Sequence, residues 1–241
     1  MHLNRITWLK KGLLHKEGRG KKSAWYTESK RKVKPTHVNL GGGCLYVPEE
    51  EKTEFYAKYL KHALVNHKEI NLTEQPRVCE DGCSYSPVII DIDLRYAAEG
   101  LTWELCELEN AIKDWSVSMF RHLDIETNAT DLDVWVTTCA EFPLKQERQV
   151  QQDDGSVVKK TIFKDGLHIY FPNVVADRRK LLEIRNEAYE AMGNRFSNTS
   201  NDSDSKIDEC IYKKNGILLV GSSKRERYRT PYVLTSCWSL T

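Results

Sequence analysis

Ser86-Pro87-Val88-Ile89-Ile90-Asp91-Ile92-Asp93-Leu94-Arg95 sets two acids one residue apart inside an apolar run. Successive side chains on a β-strand point to opposite faces. Asp91 and Asp93 therefore share one face, ~7 Å apart along the strand, while Ile90, Ile92 and Leu94 turn the other way into a core. Two carboxylates on a largely buried strand repel each other and lose hydration, which is costly unless a cation sits between them. A divalent metal meets that need, and hard Mg²⁺ or Mn²⁺ suits carboxylate oxygens. The alternative reading is a strand end whose acids cap a loop or pair with Arg95.

Around this strand the composition is that of a globular chain. Of 241 residues, 40% are hydrophobic and 29% charged, enough for one large domain or two small ones. No apolar run approaches membrane-spanning length, and the N-terminus lacks a signal-peptide stretch. Seven cysteines, an odd number, fit reduced thiols and an intracellular setting. Cys79 and Cys83 have no matching Cys/His pair at zinc-finger spacing, so no zinc is expected.

The net charge of +1 is unevenly spread. Residues 1–34 hold eleven Lys/Arg against Glu17 and Glu28, a local +9 that leaves −8 for the remainder. Trp8, Trp25 and Tyr26 are interleaved with these charges, a pattern that suits phosphate backbones and stacked bases and equally a solvated basic face. Gly18-Arg19-Gly20-Lys21-Lys22-Ser23 lacks the spacing of a phosphate-binding loop.

Further along, His37–Leu40, the glycines at 41–43 and Cys44–Val47 read as strand–turn–strand. Residues 49–66 read as a helix with Phe55, Tyr59, Ala63 and Leu64 on one side. Leu105, Leu108, Ile112, Trp115, Met119 and Leu123 place a core-facing helix over 102–123. Residues 132–142 read as a strand, and 146–163 as a polar hairpin around Asp154-Gly155. Gly166–Phe171 forms a strand ending at Pro172, followed by a helix from an Asp177 cap to a Gly193 stop. The polar stretch 197–206 is expected to be a mobile loop. Two strands, Ile207–Tyr212 and Gly216–Val220, are expected to join through Asn215-Gly216. This mixture predicts an α/β or α+β core with a mainly antiparallel sheet.

Three polar features sit on otherwise apolar strands: the Asp91/Asp93 pair, His168 in Lys164-Asp165-Gly166-Leu167-His168-Ile169-Tyr170-Phe171, and Asp208 in Ile207-Asp208-Glu209-Cys210-Ile211-Tyr212. The last runs on to Leu219-Val220-Gly221-Ser222-Ser223-Lys224. Taken singly, His168 reads as a structural histidine and Asp208 as a cap. In this order the set resembles the archaeo-eukaryotic primase superfamily, and more closely the primase domains of poxvirus-type and other nucleocytoplasmic large DNA virus primase-helicases. The resemblance covers at least residues 86–224. Position 166 is Gly where many relatives have Ser, which leaves a backbone N–H in place of a hydroxyl.

The resemblance implies one catalytic domain over 1–241, with a basic segment and first hairpin over 1–48 and a core over 49–241 built on an RRM-like sheet flanked by helices. It implies metal-dependent nucleotidyl transfer that makes or extends primers on single-stranded DNA, with Asp91, Asp93 and Asp208 holding two Mg²⁺ or Mn²⁺ ions. Gly166, His168, Lys224 and Arg225 would bind the nucleoside triphosphate, and the basic N-terminal segment would contact the template. A helicase downstream in a longer parent chain, and a cytoplasmic viral replication site, are implied in the same way. Two other readings stay open: a non-catalytic nucleic-acid-binding replication module, and another metal-dependent transferase with paired aspartates.

Overall fold

The computed structural model describes residues 26–27, 34–40, 43–66, 70–79, 82–125, 132–139, 144–151, 155–213, 215–223 and 231–240. The chain forms two compact units, one from residues 1–84 with 214–233 and the other from 85–213 with 234–241. The chain passes from one unit to the other after Ser84, after Lys213 and after Val233.

The first unit holds short strands β1 (Tyr26–Thr27), β2 (His37–Asn39), β3 (Cys44–Leu45) and β4 (Leu72–Glu74), with β10 (Ile217–Leu218), in the order β1-β3-β2-β4-β10. The expected β2–β3 hairpin is present, turning through Gly43 at φ 108°. A 3₁₀ turn over Glu49–Glu51 leads into helix α1 (Lys52–Leu60), which passes into a π-turn over Lys61–Val65. Phe55, Tyr59 and Ala63 pack on Leu45, Val47, Ile70 and Leu72. Leu64, expected on that face, is exposed, because the wider π-turn rotates it outward. His37 is wholly buried between Thr36 and Tyr56, and burial lowers its pKa to about 4.

The second sheet contains β5 (Arg77–Val78), β6 (Ser84–Tyr96), β7 (Leu132–Cys139), β9 (Val157–Asp177) and β11 (Tyr232–Leu240) in the order β11-β7-β9-β6-β5, with β8 (Leu144–Gln151) paired to β9. The β6, β7 and β8 pairings with β9 are antiparallel, as the sequence predicts. Behind the sheet lie α2 (Leu105–His122) and α3 (Arg178–Arg195). Leu108, Ile112, Trp115 and Met119 of α2 meet Leu181, Ile184, Ala188 and Met192 of α3 over Val88, Ile90, Ile92 and Leu94. Each Leu, Ile, Val or Met among them contributes about 1.5–3 kcal/mol when fully buried. Helix α2 starts later than expected, because Glu104 and Glu107 form a capping box. Leu105, at its first turn, is exposed in consequence.

Three further expectations are corrected. Pro172 does not end its strand. The β6–β9 register jumps there from Val88↔Phe171 to Pro87↔Val175, and a bulge tolerates a residue without an N–H. Gly193 does not stop α3, which runs on to Arg195; glycine is needed there because a Cβ would lie 2.4 Å from that of Ser203. Residues 207–220 are not a hairpin. Asp208 accepts from the Cys210 N–H ahead of the short helix α5 (Cys210–Lys213), while Ile217–Leu218 pairs with β4 in the other sheet.

Candidate active site

Alternation along β6 and β9 builds the site. Cross-strand register sets Asp91 opposite His168 and Asp93 opposite Gly166, while Ile90, Ile92 and Leu94 enter the core. The acids and the histidine thus share one face. His168 Nε2 lies 3.4 Å from Asp91 Oδ1. Both residues are buried, at 2% and 8% exposure, so the contact is shielded from water. Asp93 is half-buried and takes Lys164 Nζ on Oδ2 at 2.5 Å. Its buried Oδ1 has no hydrogen-bond partner among the described residues. Buried Gly166 presents only backbone opposite Asp93.

The segment 200–208 comes to the outer edge of β6 and completes its hydrogen bonding. Ser200 N–H donates to Arg95 O at 2.7 Å, and Asn201 donates to Asp93 O at 2.9 Å while accepting from Arg95 N–H at 3.0 Å. Ile207 bridges Ile92, and Asp208 N–H donates to Asp91 O at 2.9 Å. Ile207 enters the core beside Ile92, and Asp208 follows it with its backbone N–H tied to Asp91 O. The stretch expected to be a mobile loop is therefore an ordered strap. It contains a helical turn, α4 (Ser203–Lys206), capped by Asp202. Ser, Asn and Asp side chains serve here as backbone partners, a role that composition alone does not distinguish from solvation.

Buried Arg185 of α3 holds this strap. Its Nε and Nη2 donate to Ile207 O at 3.0 and 2.7 Å, and Nη2 also reaches Asp204 O at 2.8 Å. Lys206 Nζ caps α3 by donating to Gly193 O and Phe196 O at 2.7 and 3.2 Å. Asp165 lies across from Leu94 on the core side and accepts from the Trp103 indole at 3.0 Å. Burial pushes its carboxyl up to about 7, against the Trp103 and Gly166 hydrogen bonds, and the negative charge of Asp93 adds to the rise.

Sequence reasoning left Lys164, Arg185 and Asn201 without roles. Lys164 was findable, since it continues the two-residue period of Gly166 and His168. Arg185 also carries a signal, lying on the inward stripe of Leu181, Ile184 and Ala188. Asn201 had none, because its docking on β6 is a long-range event. Lys224 and Arg225, expected at the triphosphate, and most of the basic segment 1–34 lie outside the described residues.

The arrangement gathers Asp91, Asp93 and His168 and ties the Asp208 backbone beside them. Among the described residues, no group of three or more His, Cys, Asp or Glu side chains is set to hold a metal ion. Asp208 Oδ1 is engaged by Cys210 N–H at 2.8 Å. Asp93 is the acid there that a cation would suit: its Oδ1 is buried with no hydrogen-bond partner among the described residues, and its other oxygen already draws an ammonium.

Residues 36–238 match the family described as "C962R protein N-terminal AEP domain", AEP denoting the archaeo-eukaryotic primases. A relative described as "Putative helicase L207/L206", from Acanthamoeba polyphaga mimivirus, is 23% identical over 203 residues, covering 81% of this chain. The chain spans 18% of that relative's length. Among the described residues, no helix is long and apolar enough to cross a membrane.

Proposed function

Because the chain belongs to the archaeo-eukaryotic primase family typified by the N-terminal domain of the C962R protein, we propose that it is a primase or primase-polymerase domain that joins nucleotides on single-stranded DNA. The observation that carries this reading is the β6–β9 register, which brings Asp91, Asp93 and His168 onto one face with Asp208 tied alongside. Asp91 and Asp93 would hold Mg²⁺ or Mn²⁺, joined by Asp208 through a carboxylate that at present caps α5. Bound there, the metal would supply Lewis acidity toward the nucleophile and the leaving pyrophosphate. His168 places a ring nitrogen beside Asp91, where an N–H donor can balance phosphate charge. Lys164 neutralises Asp93 and keeps a cation on the same face. Lys224 and Arg225 are proposed triphosphate contacts, and the basic N-terminal segment a template contact. The mimivirus relative's description supports a helicase elsewhere in the parent chain and a viral replication setting.

A second reading, a nucleic-acid-binding module without catalysis, is favoured by the use of Asp208 as a cap and by the Lys164–Asp93 pair. Incubation with single-stranded DNA, Mg²⁺ or Mn²⁺, and ribo- or deoxynucleoside triphosphates separates the two. Template-dependent products support the primase reading. DNA binding without product under every combination supports the module and overturns the primase.

A further inference from the structure

The face bearing Asp91 and Asp93 is graded in polarity along its length. Register fixes its rows: Arg95 beside Lys164, Asp93 beside Gly166, Asp91 beside His168 and Thr137, and Ile89 beside Tyr170 and Trp135. Cross-strand partners share a face. One end of the strip is therefore cationic, its middle is carboxylate and imidazole, and its far end is aromatic. A nucleotide is graded in the same order, from anionic phosphates through a hydroxylated sugar to a flat base.

Trp135 is 40% exposed although β7 has neighbours on both sides and its Val134 and Val136 are wholly buried. Tyr170, next to it in the row, meets the His168 ring edge-on at 6.1 Å and sets its hydroxyl 3.3 Å from Nδ1. Thr137 follows two residues on. Its hydroxyl is fully buried without a hydrogen-bond partner among the described residues. One exposed aromatic is ordinary on a protein surface. This one closes the strip a single row, ~7 Å, from the carboxylate–histidine row, about the reach of a sugar.

Building on the function proposed above, we propose that Trp135, backed by Tyr170, stacks the base of the nucleoside triphosphate, with the phosphates toward the carboxylate–histidine row and Lys164. Stacking on a π-face tolerates any base, as a template-directed enzyme requires.

The test titrates ATP and inorganic tripolyphosphate, each with Mn²⁺, into wild type, Trp135→Ala, Trp135→Tyr and Asp91→Ala/Asp93→Ala. Trp135→Ala is expected to weaken ATP about tenfold and leave tripolyphosphate unchanged, and Trp135→Tyr to retain most of the affinity. Unchanged tripolyphosphate binding also shows that the variant is folded. Equal weakening of both ligands, no weakening of either, or a loss confined to single-stranded DNA overturns the base platform and leaves the proposed function standing. A wild type that binds neither ligand, or a double acid variant that binds both as well as wild type, overturns the function and the platform with it.

Discussion

Replacing Arg185 by Met should release the strap that carries Asp208. The guanidinium makes two hydrogen bonds to Ile207 O and one to Asp204 O, and lies 4.6 Å from the Tyr189 ring centroid. Ile207 is fully buried, so its carbonyl would be left unsatisfied, at about 1–3 kcal/mol. The lost charged hydrogen bonds contribute a similar amount, about 1.5–3 kcal/mol. The Asp204 carboxylate is 71% exposed, so its ion pair adds little. Met restores most of the apolar volume. The net loss is therefore about 3–5 kcal/mol, in the range seen when one partner of a buried charged contact is removed. Urea unfolding should show this as a lower midpoint at nearly unchanged slope. In the fraction still folded, half-saturation by Mn²⁺ should move to higher concentration, because the strap is what brings Asp208 to Asp91. A loss under about 1 kcal/mol, or unchanged Mn²⁺ binding, would refute this account of how the third acid is held.

Asp165→Asn should flatten part of the pH dependence of stability. The buried carboxyl holds its proton more tightly in the folded chain, with a pKa of about 7 against 3.8. Its stabilising contribution is complete below about pH 3.8 and is lost as pH rises through about 7, by at most ~1.4 kcal/mol per pH unit. Thermal melts from pH 4 to 8 check this, and identical profiles for wild type and variant would contradict it. Lys164→Ala should lower Tm without metal, by about 1–2 kcal/mol of stability, since Asp93 is left half-buried without its ammonium. The variant should then gain more from added Mn²⁺ than wild type does; a smaller gain would show that Asp93 is not open to cations. Gly193→Ala, a change that usually favours a helix, should here cost about 1–3 kcal/mol through collision with Ser203. A stabilised variant would mean that α3 and the 203 turn are not in such close approach.

The parts legible in the sequence are those set by local periodicity. Alternation in Val88–Leu94 and Gly166–Phe171 puts acids and histidine on one side and the core on the other, and the strands pair accordingly. The stripe from Leu108 to Met119 likewise gave the helix behind the sheet. What stayed hidden depends on partners distant in the chain. Asn215-Gly216 has the composition of a hairpin turn, yet Gly216 packs where a Cβ would stand 2.3 Å from Glu74 O, and β10 joins the first unit's sheet. The 197–206 stretch looked unable to order itself because its bonds run to Asp93 and Arg95. Asp208 reads as a strand residue in the sequence, but the bridge to β6 is made by Ile207, and Asp208 lies just beyond it with its carboxylate accepting from the Cys210 N–H.

Primer synthesis on single-stranded DNA by wild type and by the Asp91→Ala/Asp93→Ala variant, at matched folded protein and with Mn²⁺ titrated from zero, tests the central claim most directly. The account predicts products from wild type that appear only with metal and vanish in the variant. Equal product from both proteins would contradict it.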